Sequence, residues 1–335
     1  MRTDAAVLLR RNGVVESVHA VSAALVDATG RLRAWAGDPD RVTFIRSSAK
    51  PFQAIPLVAD GVTEAFAMSE RELAICCASH GGERAHLRVV AGLLRRVGGR
   101  AHDLACGPQP PLYGPAARAL ARSGRRPGRL HNNCSGKHAG MIAWARHAGA
   151  PVEGYHRADH PLQIRVREEL AAWAEMRPGD LALAVDGCGV PTFAMPLERI
   201  ARAFARFARA AAAEPPSPAG RIASAMTAEP FYVAGTGRLC SEWMQASAGA
   251  RVAKIGAEGV FGLALLPEGE GLALKVEDGS RRAVGPAVLE FLRQAGRISD
   301  EILQSKLQSY HRVPVHNTRG ETVGELCAEI RVRTA

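Results

Sequence analysis

The chain has 335 residues, 47% hydrophobic and 23% charged, a balance that excludes a disordered chain, a collagen and a small disulfide-held scaffold. The net charge is +10, but the arginines are scattered among 33 acids and only 5% of residues are aromatic, so no nucleic-acid partner is expected. No apolar stretch reaches about 18 residues and no signal core opens the chain, so a cytoplasmic protein with no membrane partner is expected.

The start reads as β structure. Residues 5–9 form a short apolar run, and Asn12-Gly13 is a strong hairpin turn. A second turn, Asp27-Ala28-Thr29-Gly30, separates the apolar runs 21–26 and 32–35. Residues 42–45 then lead into Arg46-Ser47-Ser48-Ala49-Lys50. The middle reads as helical. Ser69 and Glu72 make a capping box, and Leu87, Val90 and Leu94 recur at helical spacing over 83–97. Further helices are predicted near 135–148, 160–174, 197–212 and 217–228. In the third of these, Ile200, Phe204 and Phe207 share one face, with Arg202, Arg206 and Arg209 on a solvated back. Glu214-Pro215-Pro216-Ser217-Pro218 reads as a surface break. The end returns to β structure. Runs 260–266 and 272–276 flank a glycine-rich turn, and helices near 283–296 and 299–308 precede a last strand near 323–333. Strands at both ends around a helical centre predict an α+β fold. The expected organisation is one composite domain over 1–335, its sheet mainly from 1–46 and 258–335 and its helical, site-bearing region from 47–257.

Only five of the 43 basic residues are lysines: Lys50, Lys137, Lys254, Lys275 and Lys306. Arg replaces Lys on most surfaces but not where a neutral amine is needed. Three of the five lie in segments rich in Gly, Ser or Cys. Ser47 and Lys50 form Ser-x-x-Lys, which at a helix start puts both on one face. A lysine held neutral by desolvation or a nearby cation can serve there as the base for a serine nucleophile. The simpler reading is a capping serine and a solvated lysine.

Ser79, in Cys76-Cys77-Ala78-Ser79-His80-Gly81-Gly82-Glu83, either caps the next helix or needs a partner base, for which Lys254 is a candidate. In His131-Asn132-Asn133-Cys134-Ser135-Gly136-Lys137-His138, the last two residues follow Cys134 by three and four positions and can face one point with it. Cys188, in Asp186-Gly187-Cys188-Gly189, is able to join Cys134 on zinc; the alternative is two buried structural thiols. Seven cysteines, an odd number, argue against a disulfide framework, and Cys240 and Cys327 are expected in the core. Gly235-Thr236-Gly237 is too short a signal for phosphate binding.

Taken together, the segments 46–58, 77–83, 131–141, 186–197, 234–240 and 254–260 resemble the Rhizobium etli-type L-asparaginases, the asparaginase II family, in order and over nearly the full length. The strings at 132–141 and 186–193 are the most specific. The resemblance implies a fold similar to serine β-lactamases and Ser-Lys glutaminases, hydrolysis of L-asparagine to L-aspartate and ammonia, and a homodimer. It implies two Ser-Lys pairs, Ser47 with Lys50 and Ser79 with Lys254. It also implies a zinc ion on Cys134, Lys137 and Cys188 with water as fourth ligand; whether Lys137 or His138 ligates stays open on spacing. Arg46, Asn133, His138 and Asp186 are candidates to hold the substrate. Gly81 stands where the family pattern leads one to expect Ser. The competing readings are a related Ser-Lys amidase of glutaminase or β-lactamase type, and a non-enzymatic zinc-thiol binding protein.

Overall fold

Asn12 and Gly13 both take positive φ, 44° and 81°, so β1 (Ala5–Arg11) folds straight back as β2 (Val14–Asp27). At the next turn the Asp27 carboxylate accepts the N–H groups of Thr29 and Arg31, and β3 (Leu32–Ala36) returns along β2. The computed structural model describes residues 4–213, 217–305 and 307–335. Glu214, Pro215 and Pro216 of the expected surface break lie outside these, while Ser217 caps the helix that follows.

The chain divides into two units. The first comprises Met1–Ser48, Ala194–Arg209 and Ala246–Ala335; the second comprises Ala49–Phe193 and Ala210–Gln245. Three short strands are β4 (Val42–Phe44), β5 (Ala182–Val185) and β6 (Pro191–Pro196), and the end of β6 pairs with β4. The remaining strands are β7 (Arg251–Ile255), β8 (Val260–Leu265), β9 (Glu270–Val276), β10 (Val313–His316), β11 (Thr322–Ile330) and β12 (Arg333–Thr334).

The first unit is built on an antiparallel sheet in the order β10-β11-β1-β2-β9-β8-β7, with β3 on β2 and β12 on β3. The length of β2 explains the branching. Its first half pairs with β1 and its second half with β9 and β3. The helix Leu197–Ala211 packs on this sheet, and its Ile200, Phe204 and Phe207 are fully buried. Its close approach needs glycine on the strands. A Cβ at Gly262 would overlap the Phe204 ring, and one at Gly271 would overlap backbone atoms of Ala201 and Ala205. Gly271→Ala is therefore expected to destabilise the protein by at least about 2 kcal/mol, read as a lowered denaturant midpoint. An unchanged midpoint would mean that helix and sheet separate without cost.

Several expectations are corrected in this unit. The helix back is not simply solvated, since Arg202 donates to the Gly30 carbonyl and Ala201, Ala203, Ala205 and Ala208 are buried. The sheet begins before residue 258, because β7 carries Lys254 on a strand. The helix expected at 299–308 is two short ones, Asp300–Ser305 and Gln308–His311, and β10 follows them unforeseen. Cys327 is only half-buried, whereas Cys240, in the second unit, is a core residue.

The second unit is mainly helical. Its longer helices are Lys50–Ala59, Arg84–Arg96, Gly114–Arg122, Ser135–His147, Pro161–Ala174 and Pro218–Ala228. The capping box at Ser69 and Glu72 starts the helix Glu70–Cys76 as predicted. Glu83, not Ser79, occupies the N-cap of Arg84–Arg96. The helix Ser135–His147 is buried continuously from Ser135 to Ala145, so it runs through the unit rather than lying on it. The expected α+β class is the class observed, and no helix of the described residues is long and apolar enough to cross a membrane.

Candidate active site

The glycines of the 135–140 string serve packing. A Cβ at Gly136 would overlap the Ile75 carbonyl, and one at Gly140 would sit 2.8 Å from Cys76 Sγ. Without side chains there, the start of Ser135–His147 lies directly on the end of Glu70–Cys76. Cys134 precedes the one helix and Ser79 follows the other, so this contact brings their segments together. The backbone completes the join, with His80 N–H donating to Asn133 O at 3.1 Å.

Lys50 is 1% exposed and reaches both segments. Its Nζ donates to Ala78 O at 2.5 Å, to Ser79 Oγ at 3.0 Å and to Cys134 Sγ at 3.1 Å. Each N–H of an ammonium is thereby directed at an acceptor. If the amine is neutral, its lone pair is within reach of the Ser79 hydroxyl proton. This Lys50–Ser79 contact was not among the sequence pairings.

The thiols form an adjoining cluster. Lys137 Nζ lies 3.0 Å from Cys188 Sγ, and Cys134 donates to Asn133 Oδ1 at 2.9 Å. Cys134 and Cys188 also interact with each other. The Cys134 hydrogen bond, and then the Lys137 charge, hold the Cys188 thiol far below its ordinary range. The same bond, together with burial, pushes Cys134 up. Burial alone would lower Lys137, but the adjacent sulfurs outweigh it and hold the amine protonated above its ordinary value. Burial pushes His138 down to about 4, against the pull of Cys188. Its Nδ1 is 2.6 Å from the Tyr155 hydroxyl, which itself accepts Ala105 N–H at 2.8 Å. The other ring nitrogen, Nε2, is a buried atom with no hydrogen-bond partner of ordinary geometry.

The donor set suits a soft divalent metal: two thiols, and an amine 3.0 Å from the sulfur of one of them. Among the described residues no three His, Cys, Asp or Glu side chains cluster as a metal site.

Asp186 heads the turn that carries Cys188; its backbone N–H bonds Val190 O at 2.8 Å and its carboxylate accepts Gly187 N–H at 2.7 Å. Gly235 is explained by Glu83. That carboxylate accepts Thr236 N–H at 3.0 Å and its hydroxyl at 2.9 Å, and a Cβ at Gly235 would fall 2.7 Å from it. The Gly235–Gly237 loop thus encloses a carboxylate of the protein itself.

In the first unit, Ser47 lies in the one-turn helix Arg46–Ala49, and Arg46 takes positive φ, 51°. Ser48, which the sequence reading passed over, donates to Lys254 O at 2.9 Å, fixing the Ser47 turn to β7. Lys254 is 1% exposed and its Nζ donates to Ile255 O at 2.9 Å. His80 and Tyr155 were also missed; the unusual Ser-His-Gly-Gly run was the available signal for His80.

A buried lysine amine on a serine hydroxyl is an arrangement that can support nucleophilic attack on a carbonyl. The family model for L-asparaginase II matches residues 7–328, and the chain belongs to that family of amidohydrolases. Its substrate class is accordingly a small-molecule amide. No curated protein matches it significantly. Among solved structures it is similar to a chain assigned as a beta-lactamase from Bacteroides dorei DSM 17855. The two are 12% identical over 91% of this chain and 93% of that one, with a TM-score of 0.40.

Proposed function

We propose that the protein hydrolyses L-asparagine to L-aspartate and ammonia, with Ser47 as nucleophile and Lys50 as its base. The observation that supports Lys50 as the base is the residue itself, a buried lysine in an arginine-rich chain with its amine on Ser79 Oγ and Cys134 Sγ; Ser47 as its partner rests on the Ser-x-x-Lys spacing and the family. Ser47 Oγ attacks the side-chain amide carbon as Lys50 takes its proton. Backbone N–H groups of the turn stabilise the oxyanion. Ammonia leaves, protonated through Ser79 and Lys254, and water hydrolyses the β-aspartyl ester. Arg46, Asn133, His138 and Asp186 hold the substrate's amino and carboxylate groups.

Cys134, Lys137 and Cys188 would hold a zinc ion, which, when bound, supplies a fixed positive charge for orienting substrate. Its binding requires the Lys137 amine and the thiols to be deprotonated, so affinity falls as pH falls. The assembly proposed is a homodimer.

A second reading makes Ser79 the nucleophile. The 3.0 Å contact from Lys50 Nζ favours it. For either reading the deciding experiment is ammonia release from L-asparagine and L-glutamine by purified protein of measured zinc content. Asparagine-selective release is expected. A folded, zinc-loaded protein releasing ammonia from neither would overturn the assignment to L-asparagine.

A further inference from the structure

We infer that His80 is a positioning residue: through one hydrogen bond to Ser135 it sets the segment carrying Ser79 against the segment carrying Cys134. The inference rests on the role proposed above for Ser79.

His80 is fully buried, as is Ser135. Gly82 N–H donates to His80 Nδ1 at 3.1 Å, so the ring proton resides on Nε2. Nε2–H then donates to Ser135 Oγ at 2.9 Å, and the Ser135 hydroxyl donates to Leu130 O at 3.0 Å. All the donors run in one direction, which leaves the chain a single arrangement. Both ring nitrogens are engaged, so His80 has no lone pair to offer a reacting proton, and its contribution is geometric. The ring itself is fixed by stacking. His86 lies 5.2 Å from it, and Phe231 lies 4.5 Å beyond His86. His86 has the same tautomer, accepting Glu83 N–H at 3.2 Å and donating to Phe231 O at 3.0 Å. Burial, and next the neighbouring His86, disfavour the charged form of His80, in keeping with a donor chain that needs it neutral.

The consequence falls on Lys50, whose contacts to Ser79 Oγ and Cys134 Sγ depend on how far apart the two segments stand. A misplacement of about 1 Å at such a point costs on the order of a hundredfold in rate. His80→Asn keeps an acceptor near Gly82 but is too short to reach Ser135. His80→Gln keeps a donor at the reach of Nε2. Ser135→Ala removes the acceptor with little change of volume.

His80→Asn and Ser135→Ala are each expected to lower kcat about 10- to 100-fold, with KM and zinc content within about threefold of the parent. His80→Gln is expected to restore kcat to within about threefold. The double variant His80→Asn/Ser135→Ala is expected to be no slower than the worse single, because both remove one bond. Losses that multiply in the double variant, or full kcat in both singles while Ser79→Ala is inactive, would overturn the role of His80. Full turnover in Ser79→Ala would instead overturn the reading of Ser79, and this inference with it.

Discussion

Lys50→Arg is expected to lower ammonia release from L-asparagine by at least about a thousandfold in a protein that still folds. Arg keeps the positive charge and can donate to the Ala78 carbonyl and the Ser79 hydroxyl that Lys50 now contacts. It cannot give up a proton under ordinary conditions, so it cannot then act as a base. The variant separates two uses of the residue. If Lys50 serves only as a fixed cation, Arg retains most of the activity; if it takes the serine proton, Arg abolishes it. Lys50→Met, close in volume, removes both uses and leaves the Ala78 carbonyl without this donor. Its thermal midpoint, set beside that of Lys50→Arg, measures how much of each loss is folding. Retention of more than a tenth of parent turnover in Lys50→Arg would place the base elsewhere.

The serine variants carry the second large effect. Ser47→Ala is expected to lose at least about a thousandfold in kcat, with asparagine affinity within about threefold, because the hydroxyl forms a bond only during reaction. Ser79→Ala is expected to lose less, about a hundredfold, since a proton relay is partly replaced by water. The order of the two losses decides between the readings. A larger loss in Ser79→Ala, with a covalent adduct still formed by the Ser47→Ala protein, would make Ser79 the nucleophile. It is the serine on which Lys50 Nζ donates at 3.0 Å, so the test is a real contest. Mass spectrometry of protein quenched with substrate present reads which serine carries the added aspartyl group.

The local signals of the chain proved dependable where a few residues decide the backbone. Asn12-Gly13, the Ser69–Glu72 capping box and the helices at Ser135–His147, Pro161–Ala174, Leu197–Ala211 and Pro218–Ala228 fall where their patterns put them. Turns, caps and one-sided apolar faces are short-range physics. β10 and the break after Ser305 escaped because short, half-exposed segments carry little pattern. The helix Leu197–Ala211 kept its predicted core face, but nothing local announced that its back would also be covered.

The chemistry divides in the same way. Scarce lysines in an arginine-rich chain, two serines at suggestive spacings and thiols beside glycines were legible from residue types alone, because Arg cannot supply a neutral amine and thiols suit soft metals. The family followed from their order along the chain. Partnership was not legible. That Lys50 meets Ser79 and Cys134, that Lys137 meets Cys188 and that His80 is locked to Ser135 depend on the contact of the helices Glu70–Cys76 and Ser135–His147. Gly136 and Gly140 stand in one of the most specific strings of the sequence, and in the structure they are the surface on which two helices touch. Which side chains share a proton is decided by distances of about 3 Å between residues far apart in the chain, and only packing sets those.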